Sequence, residues 1–203
     1  MLGLCLLMLE TEEDKICFTG IYQQYKNDVN VLTLSATPIP RTMQMSLVGI
    51  RPLSQINTAP QTRMPIQTYV TPYKEEAVIE LINRELGRNG QVFYVYNKVA
   101  SIYAKANELS RALPYANIGV VHGKMEKDEV EDVMQKYYDN EINILVCTSI
   151  VENGIDVPNA NMIIVEDADR FGLSQLYQIK GRVGRGDKIA YAYLMYKPQK
   201  NMT

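Results

Sequence analysis

The sequence is short of the features that assign a protein to a class at a glance. Its 203 residues carry 21 basic and 23 acidic side chains, a net charge of −2. There is no overall field of one sign to draw in nucleic acid, so any such contact has to be a local patch. One histidine, His122, and three cysteines, Cys5, Cys17 and Cys147, show no Cys/His cluster and no C-x-x-C spacing. That argues against zinc and against a disulfide framework, and for a reducing cytoplasm. Cys147 ends the apolar run Ile144-Leu145-Val146-Cys147 and reads as a buried thiol. The apolar run at residues 2–9 falls well short of the roughly 20 residues a bilayer demands. It has no basic flank and no small-residue cleavage site, and Glu10, Glu12, Glu13 and Asp14 follow it. A buried strand is the better reading than a signal peptide. No G-x-G-x-x-G follows a strand and no G-x-x-x-x-G-K-[ST] occurs anywhere, so the chain holds neither a dinucleotide fingerprint nor a phosphate loop.

What is present is a regular alternation. Candidate strands lie at 31–34, 66–70, 91–96, 117–121, 142–147, 161–165 and 190–195. Amphipathic helical stretches lie at 74–86, 101–113, 125–138 and 174–180. The first has apolar residues at Ala77, Val78, Leu81, Ile82 and Leu86 and is stopped by Gly87 and Gly90; Pro114 ends the second. Strand–helix alternation of this kind predicts an α/β fold, a parallel sheet with helices on both faces. The strands are nearly continuous apolar runs, as buried parallel strands are. Ligands of such sheets sit beyond the carboxyl ends of the strands. The loops after Tyr96, Val121, Cys147 and Val165 are therefore the expected functional ones. Residues 38–63 differ, with Pro38, Pro40, Pro52 and Pro60 and no clear period, and read as a short helix and an extended linker. Two parts are expected: residues 1–55, the remnant of a preceding unit, and residues 56–203, the sheet domain.

The segment 178–185 reads Q-x-x-G-R-x-G-R. Arginine forks match phosphate oxygens, and glycine permits close backbone approach. Were the segment helical, Gln175, Gln178, Arg182 and Arg185 would share one stripe suited to a triphosphate. The plainer alternative is a solvated basic helix end complementing the dipole.

Other segments carry weaker signals. Ser35 and Thr37 follow the strand at 31–34, where their hydroxyls either serve a phosphate-coupled site or cap a turn. Thr148, Glu152, Gly154 and Asp156 occupy the loop after Cys147. There a hydroxyl can donate to a phosphate, glycine admits a close backbone, and Asp156 can accept from a ribose or fix an arginine. His122-Gly123 ends the strand at 117–121 and is read as facing the surface, against a nucleic-acid backbone, or else as an ordinary turn histidine.

Taken in order, these segments resemble the superfamily 2 helicases and translocases. The matching stretches are Ser35-Ala36-Thr37, Val92-Phe93-Tyr94-Val95-Tyr96-Asn97, His122-Gly123, Thr148 through Asp156, and Gln178 through Arg185. The stretches 34–42 and 166–176 are similar to the branch holding RecG-type fork helicases and bacterial transcription-repair coupling factors. The stretches 45–51 and 190–196 look nearest the coupling-factor type. The resemblance implies the second lobe of a RecA-like motor that clamps ATP and Mg2+ jointly with a first lobe and tracks along double-stranded DNA. By motif position, Arg185 would be the arginine finger, Arg182 its partner on the γ-phosphate, and Gln178 an ordering group. Glu152, Gly154 and Asp156 would line the nucleotide cleft. Thr148, His122, Asn97 and Arg41 would meet the DNA, and Ser35 and Thr37 would couple hydrolysis to lobe movement. RNA polymerase and nucleotide-excision repair proteins are the partners implied, through domains outside this chain.

Departures from that family are also legible. The acidic pair that holds magnesium upstream of Ser-Ala-Thr would fall near Leu9-Glu10, and Leu9 cannot bind a metal. With no phosphate loop, the chain reads as a fragment with an aberrant first 25 residues, inactive as an ATPase by itself. A RecG-type lobe and a non-catalytic docking module for nucleic acid or protein stand as the alternatives.

Overall fold

The computed structural model describes residues 3–8, 29–34, 65–148, 157, 159–184, 186 and 188–198, the first two stretches as backbone only. The chain divides into two compact units, Met1–Asn57 and Thr58–Thr203. In the first unit, β1 (Gly3–Met8) and β2 (Val29–Leu34) pair in parallel, from Gly3 opposite Val29 to Met8 opposite Leu34. Residues 3–8 of the apolar run thus form a strand.

The second unit is a six-stranded, wholly parallel sheet. Its strands are β3 (Gln67–Pro72), β4 (Gln91–Val95), β5 (Ile118–Val121), β6 (Ile144–Cys147), β7 (Ala160–Val165) and β8 (Tyr191–Tyr196). The spatial order is β3-β8-β7-β4-β6-β5. Among the described residues four α-helices connect them: α1 (Glu75–Leu86), α2 (Ile102–Ala112), α3 (Lys127–Tyr138) and α4 (Leu173–Lys180). Observed boundaries lie within two residues of those read from the sequence.

Local chemistry explains the helix ends. Acids at Glu75 and Glu76 open α1 and Arg84 closes it, complementing the dipole. Asp128 and Glu129 do the same for α3, with Lys136 in its last turn. Asn89 and Asn140, both with positive φ, turn the chain after α1 and α3. Asn tolerates that left-handed backbone better than most residues.

Alternation along the strands separates two cores. Val92, Tyr94, Ile144, Val146, Met162 and Ile164 face α1 and α2, which contribute Val78, Ile82, Ile102, Ala106 and Leu109. Phe93, Val95, Leu145, Cys147, Ile163 and Val165 face the other side, against Tyr137 of α3 and Ile179 of α4. β4, β6 and β7 are buried throughout, as continuous apolar strands should be. β3, at the sheet edge, is mostly exposed, and its apolar character does not signal burial. Among the described residues no helix is long and apolar enough to cross a membrane.

Candidate functional site

The parallel sheet brings the carboxyl ends of its strands to one rim. Asn97 lies just past β4 and is exposed. His122 follows β5 directly and Thr148 follows β6 directly. Because β4, β6 and β5 are neighbours, these three residues share adjoining strand ends.

Two of the three are less open than the sequence suggests. His122 was expected to face the surface, yet it is only 7% exposed. Its Nδ1 accepts the Lys124 backbone N–H at 3.3 Å, and Tyr103 meets its ring edge-on at a centroid distance of 5.5 Å. With Nδ1 accepting, Nε2 is the ring nitrogen that carries the N–H and can donate. Thr148 is buried as well, its N–H bonded to the Val121 carbonyl at 3.2 Å.

The sequence flagged the loop after Val165 but singled out none of its residues, and that loop carries a cluster of charge. β7 runs straight into Glu166 and Asp167, both nearly buried. Asp167 has φ of 53°, a left-handed backbone that swings its carboxylate toward two lysines. Lys98, from the loop after β4, approaches it at 2.6 Å, and Lys197, just past β8, at 3.4 Å. Burial alone would raise the Asp167 pKa, but Lys98 and then Lys197 outweigh it and hold the carboxyl below its ordinary value. The same pairing with Asp167 raises Lys98.

Glu166 points to the other side. Tyr94 Oη donates to its Oε2 at 2.8 Å, and Lys105 Nζ lies 3.7 Å away. Lys105 also pairs with Glu108 at 2.8 Å and stands over the rings of Tyr73 and Tyr96. Burial would lower its pKa; the Glu108 hydrogen bond and the Glu166 charge reverse this and raise it. The rule for strand carboxyl ends marked this loop, but nothing in the sequence indicated which lysines would gather on Glu166 and Asp167.

The arginine segment begins on α4 but does not stay helical. Gln175 Oε1 accepts the Gly172 N–H at 3.0 Å and secures the first turn. The helix ends at Lys180 and is capped by Gly181. Arg182 therefore lies beyond the helix, so the condition for a single helical stripe running from Gln175 through Arg182 is not met. Gln178 and Arg182 are both half-buried and both engaged by neighbours. Gly184 takes φ of 73°, and a Cβ there would meet Ala190 Cβ at 2.8 Å and Ile66 Cγ1 at 3.3 Å. The second glycine of the motif thus serves the chain's own packing. Ser35, Thr37, Arg41, Glu152, Gly154, Asp156 and Arg185 lie outside the described residues.

The arginine past α4 and the rim with Asn97, His122 and Thr148 belong to a parallel sheet whose sequence and fold can be set beside known proteins. The pattern of the Helicase conserved C-terminal domain matches residues 73–187. The chain belongs to the helicase C-terminal domain family.

This helicase C-terminal domain is 54% identical over 178 residues to the transcription-repair-coupling factor of Staphylococcus aureus strain USA300, covering 88% of the chain and 15% of that protein. A solved structure of RecG bound to a three-way DNA junction superposes with a TM-score of 0.70 at 30% identity, covering 98% of this chain and 33% of that one. The Mycobacterium smegmatis helicase Lhr, solved with single-stranded DNA and AMP-PNP, shares the fold at TM-score 0.73 and 16% identity, over 96% of this chain and 28% of that one. The helicase C-terminal domain seen here thus spans about 15% of the length of the coupling factor it matches.

Proposed function

We propose that this chain is the second motor lobe of an ATP-driven double-stranded DNA translocase that acts in transcription-coupled repair. The carrying observation is the 54% identity to a transcription-repair-coupling factor over 88% of the chain. The division into Met1–Asn57 and Thr58–Thr203 supports a first-lobe remnant followed by the second lobe.

In this reading ATP with Mg2+ is held jointly with a first lobe, and the nucleotide supplies the free energy for movement. The groups this chain offers fit an anion. Gln178 and Arg182 present amide and guanidinium donors, and among the described residues no cluster of three His, Cys, Asp or Glu could hold a metal. In this reading the first lobe brings the acidic motif that holds the metal. Arg182 and Arg185 neutralise charge on the transferring phosphoryl, and Gln178 helps order them; a fork-shaped guanidinium suits that task. Glu152, Gly154 and Asp156 line the nucleotide cleft. Asn97, Thr148, His122 and Arg41 contact DNA phosphates, with His122 doing so through Nε2. Contacts of that kind are salt-sensitive and blind to sequence. Ser35 and Thr37 link hydrolysis to lobe movement. RNA polymerase and excision-repair proteins engage domains outside this chain, and the protein works in the cytoplasm.

The test is Arg185→Ala in the full-length protein that carries this chain. DNA-stimulated ATPase falls by about 10³–10⁵, the range for loss of an arginine finger, while duplex binding survives. Equal loss of both would make Arg185 a structural residue. A second reading, a RecG-type fork helicase, is favoured by the likeness to RecG on a three-way junction. Stronger stimulation by branched than by linear duplex DNA would select it.

A further inference from the structure

The strand order β8-β7-β4-β6-β5 fixes the order of the residues along the rim. Lys197 follows β8, Asp167 lies just past β7, and Asn97 and Lys98 lie just past β4. Thr148 follows β6 and His122 follows β5. The steps between neighbouring strands are about 4.8 Å each, so this row extends across roughly 19 Å. One strand of a duplex presents a phosphate for about every 3.4 Å of helix axis, and the row has room for several in succession. The contacts assigned above to Asn97, Thr148 and His122 use its β4-β6-β5 end. Lys98, Asp167 and Lys197 occupy the rest.

This trio is built unlike an ordinary surface ion pair. Asp167 is nearly buried, whereas the Lys98 side chain is one-third exposed and that of Lys197 more than half. Lys98 Nζ meets Asp167 Oδ2 and Lys197 Nζ faces Oδ1, so each carboxylate oxygen holds one ammonium. An ammonium carries three donors, more than one carboxylate oxygen engages. Two like charges drawn onto one carboxylate repel each other, and exposed pairs add little stability. The trio carries a surplus of one positive charge on a chain whose net charge is −2. The carboxylate reaches both lysines through a left-handed backbone at Asp167, the kind of strain that gathers at functional sites. Arg170, also exposed, lines the same small cleft as Asn97, Lys98 and Asp167. The neighbouring carboxylate, Glu166, is engaged by Tyr94 and Lys105.

We propose that the DNA track continues past Asn97 to the β8 end of the rim, with Lys98 and Lys197 as further phosphate contacts and Asp167 as the positioning residue that holds both ammoniums ready for them. This deepens the motor reading proposed above and rests on it. A free lysine gives up rotamer freedom when it binds, and one anchored beforehand gives up less. The carboxylate itself lies below the lysines and is outnumbered by them, so the backbone of the DNA meets positive charge.

The experiment measures duplex affinity of the full-length protein that carries this chain across a salt series. The variants are Lys98→Gln, Lys197→Gln, the double variant, Asp167→Asn and, as a control, Lys136→Gln. Lys136 pairs with Asp132 in α3, in the last turn before the chain enters β6. Loss of one phosphate contact should weaken binding roughly 5–10-fold near 0.1 M salt and make the salt slope shallower by about 0.9. The double variant should lose about 1.8 from the slope, and all losses should be equal on duplexes of unrelated sequence. Asp167→Asn keeps both positive charges, so its slope should hold while affinity falls about 3-fold. The control and the KM for ATP should not move. Unchanged affinity and slope in both lysine variants would overturn the extended track, even if their melting temperatures fall, because the lysines would then serve the fold alone. A raised KM for ATP with normal duplex affinity would overturn it too, by giving these lysines to the nucleotide. Tighter binding by Asp167→Asn would overturn the positioning role. If the unmodified protein does not bind duplex DNA, the motor reading fails and the track falls with it.

Discussion

Tyr94 and Glu166 are joined by a 2.8 Å hydrogen bond at the carboxyl ends of two neighbouring strands, with Tyr94 fully buried and Glu166 nearly so. The bond ties β4 to the turn after β7, where the chain sets out toward α4 and its arginine. Burial, and after it the Glu166 charge, raise the Tyr94 pKa, so the hydroxyl stays protonated and donates throughout the working pH range.

Tyr94→Phe should therefore cost about 1–3 kcal/mol, because Glu166 loses a buried donor and keeps a lysine at 3.7 Å. Urea denaturation of the two proteins measures this. A loss well under 0.5 kcal/mol would mean that Lys105 moves in to satisfy the carboxylate.

Gly184→Ala tests the backbone beside Arg182. The left-handed φ and the 2.8 Å approach to Ala190 Cβ together predict a loss of about 1–3 kcal/mol. Gly172→Ala is the contrasting case, since its nearest neighbour would be Gln175 Oε1 at 3.6 Å. That change should fall within about 0.5 kcal/mol, the range of substitutions that touch nothing special. Melting temperatures of the pair decide the matter.

Asp167 gives a pH dependence with a definite sign. Its folded-state pKa is depressed, so its contribution is present above the unfolded value of about 3.9 and is lost as pH falls through the lower folded value. Asp167→Asn should be less stable than the unmodified chain by about 0.5–1 kcal/mol at neutral pH, a modest figure because both lysines are screened by water. The gap should close below about pH 4. A gap that does not narrow at all as the pH is lowered would show that the side chain matters for packing rather than charge.

Cys147 is buried between the sheet and α3, and burial alone pushes its thiol pKa up. It should resist iodoacetamide in the native protein and react once the sheet unfolds. Peptide mapping by mass spectrometry reports this residue separately from Cys5 and Cys17.

Much of the fold was legible because its signals are local. Helical stretches such as 74–86 end at glycine or proline, and the runs 91–96, 142–147 and 161–165 are apolar without interruption. The candidate site was legible in part. Asn97, His122 and Thr148 come together because every strand carboxyl end in a parallel sheet faces one way. The helix at 174–180 was legible and ends at Gly181, so the stripe, which required a helix through the whole segment, does not reach Arg182. Tyr103, which meets the His122 ring edge-on, arrives from α2, far along the chain.

The amino-acid sequence by itself determined the element types, the parallel class and the rim on which the polar residues gather. Short-range periodicity and turn chemistry carry those, and both are properties of neighbouring residues. Tertiary structure alone decided the order β3-β8-β7-β4-β6-β5, the gathering of Lys98 and Lys197 on Asp167, and the hooking of Lys188 to Arg88 across 100 positions of chain. Such contacts depend on which crossover passes which face of the sheet, and on charges that become costly only once folding takes them out of water.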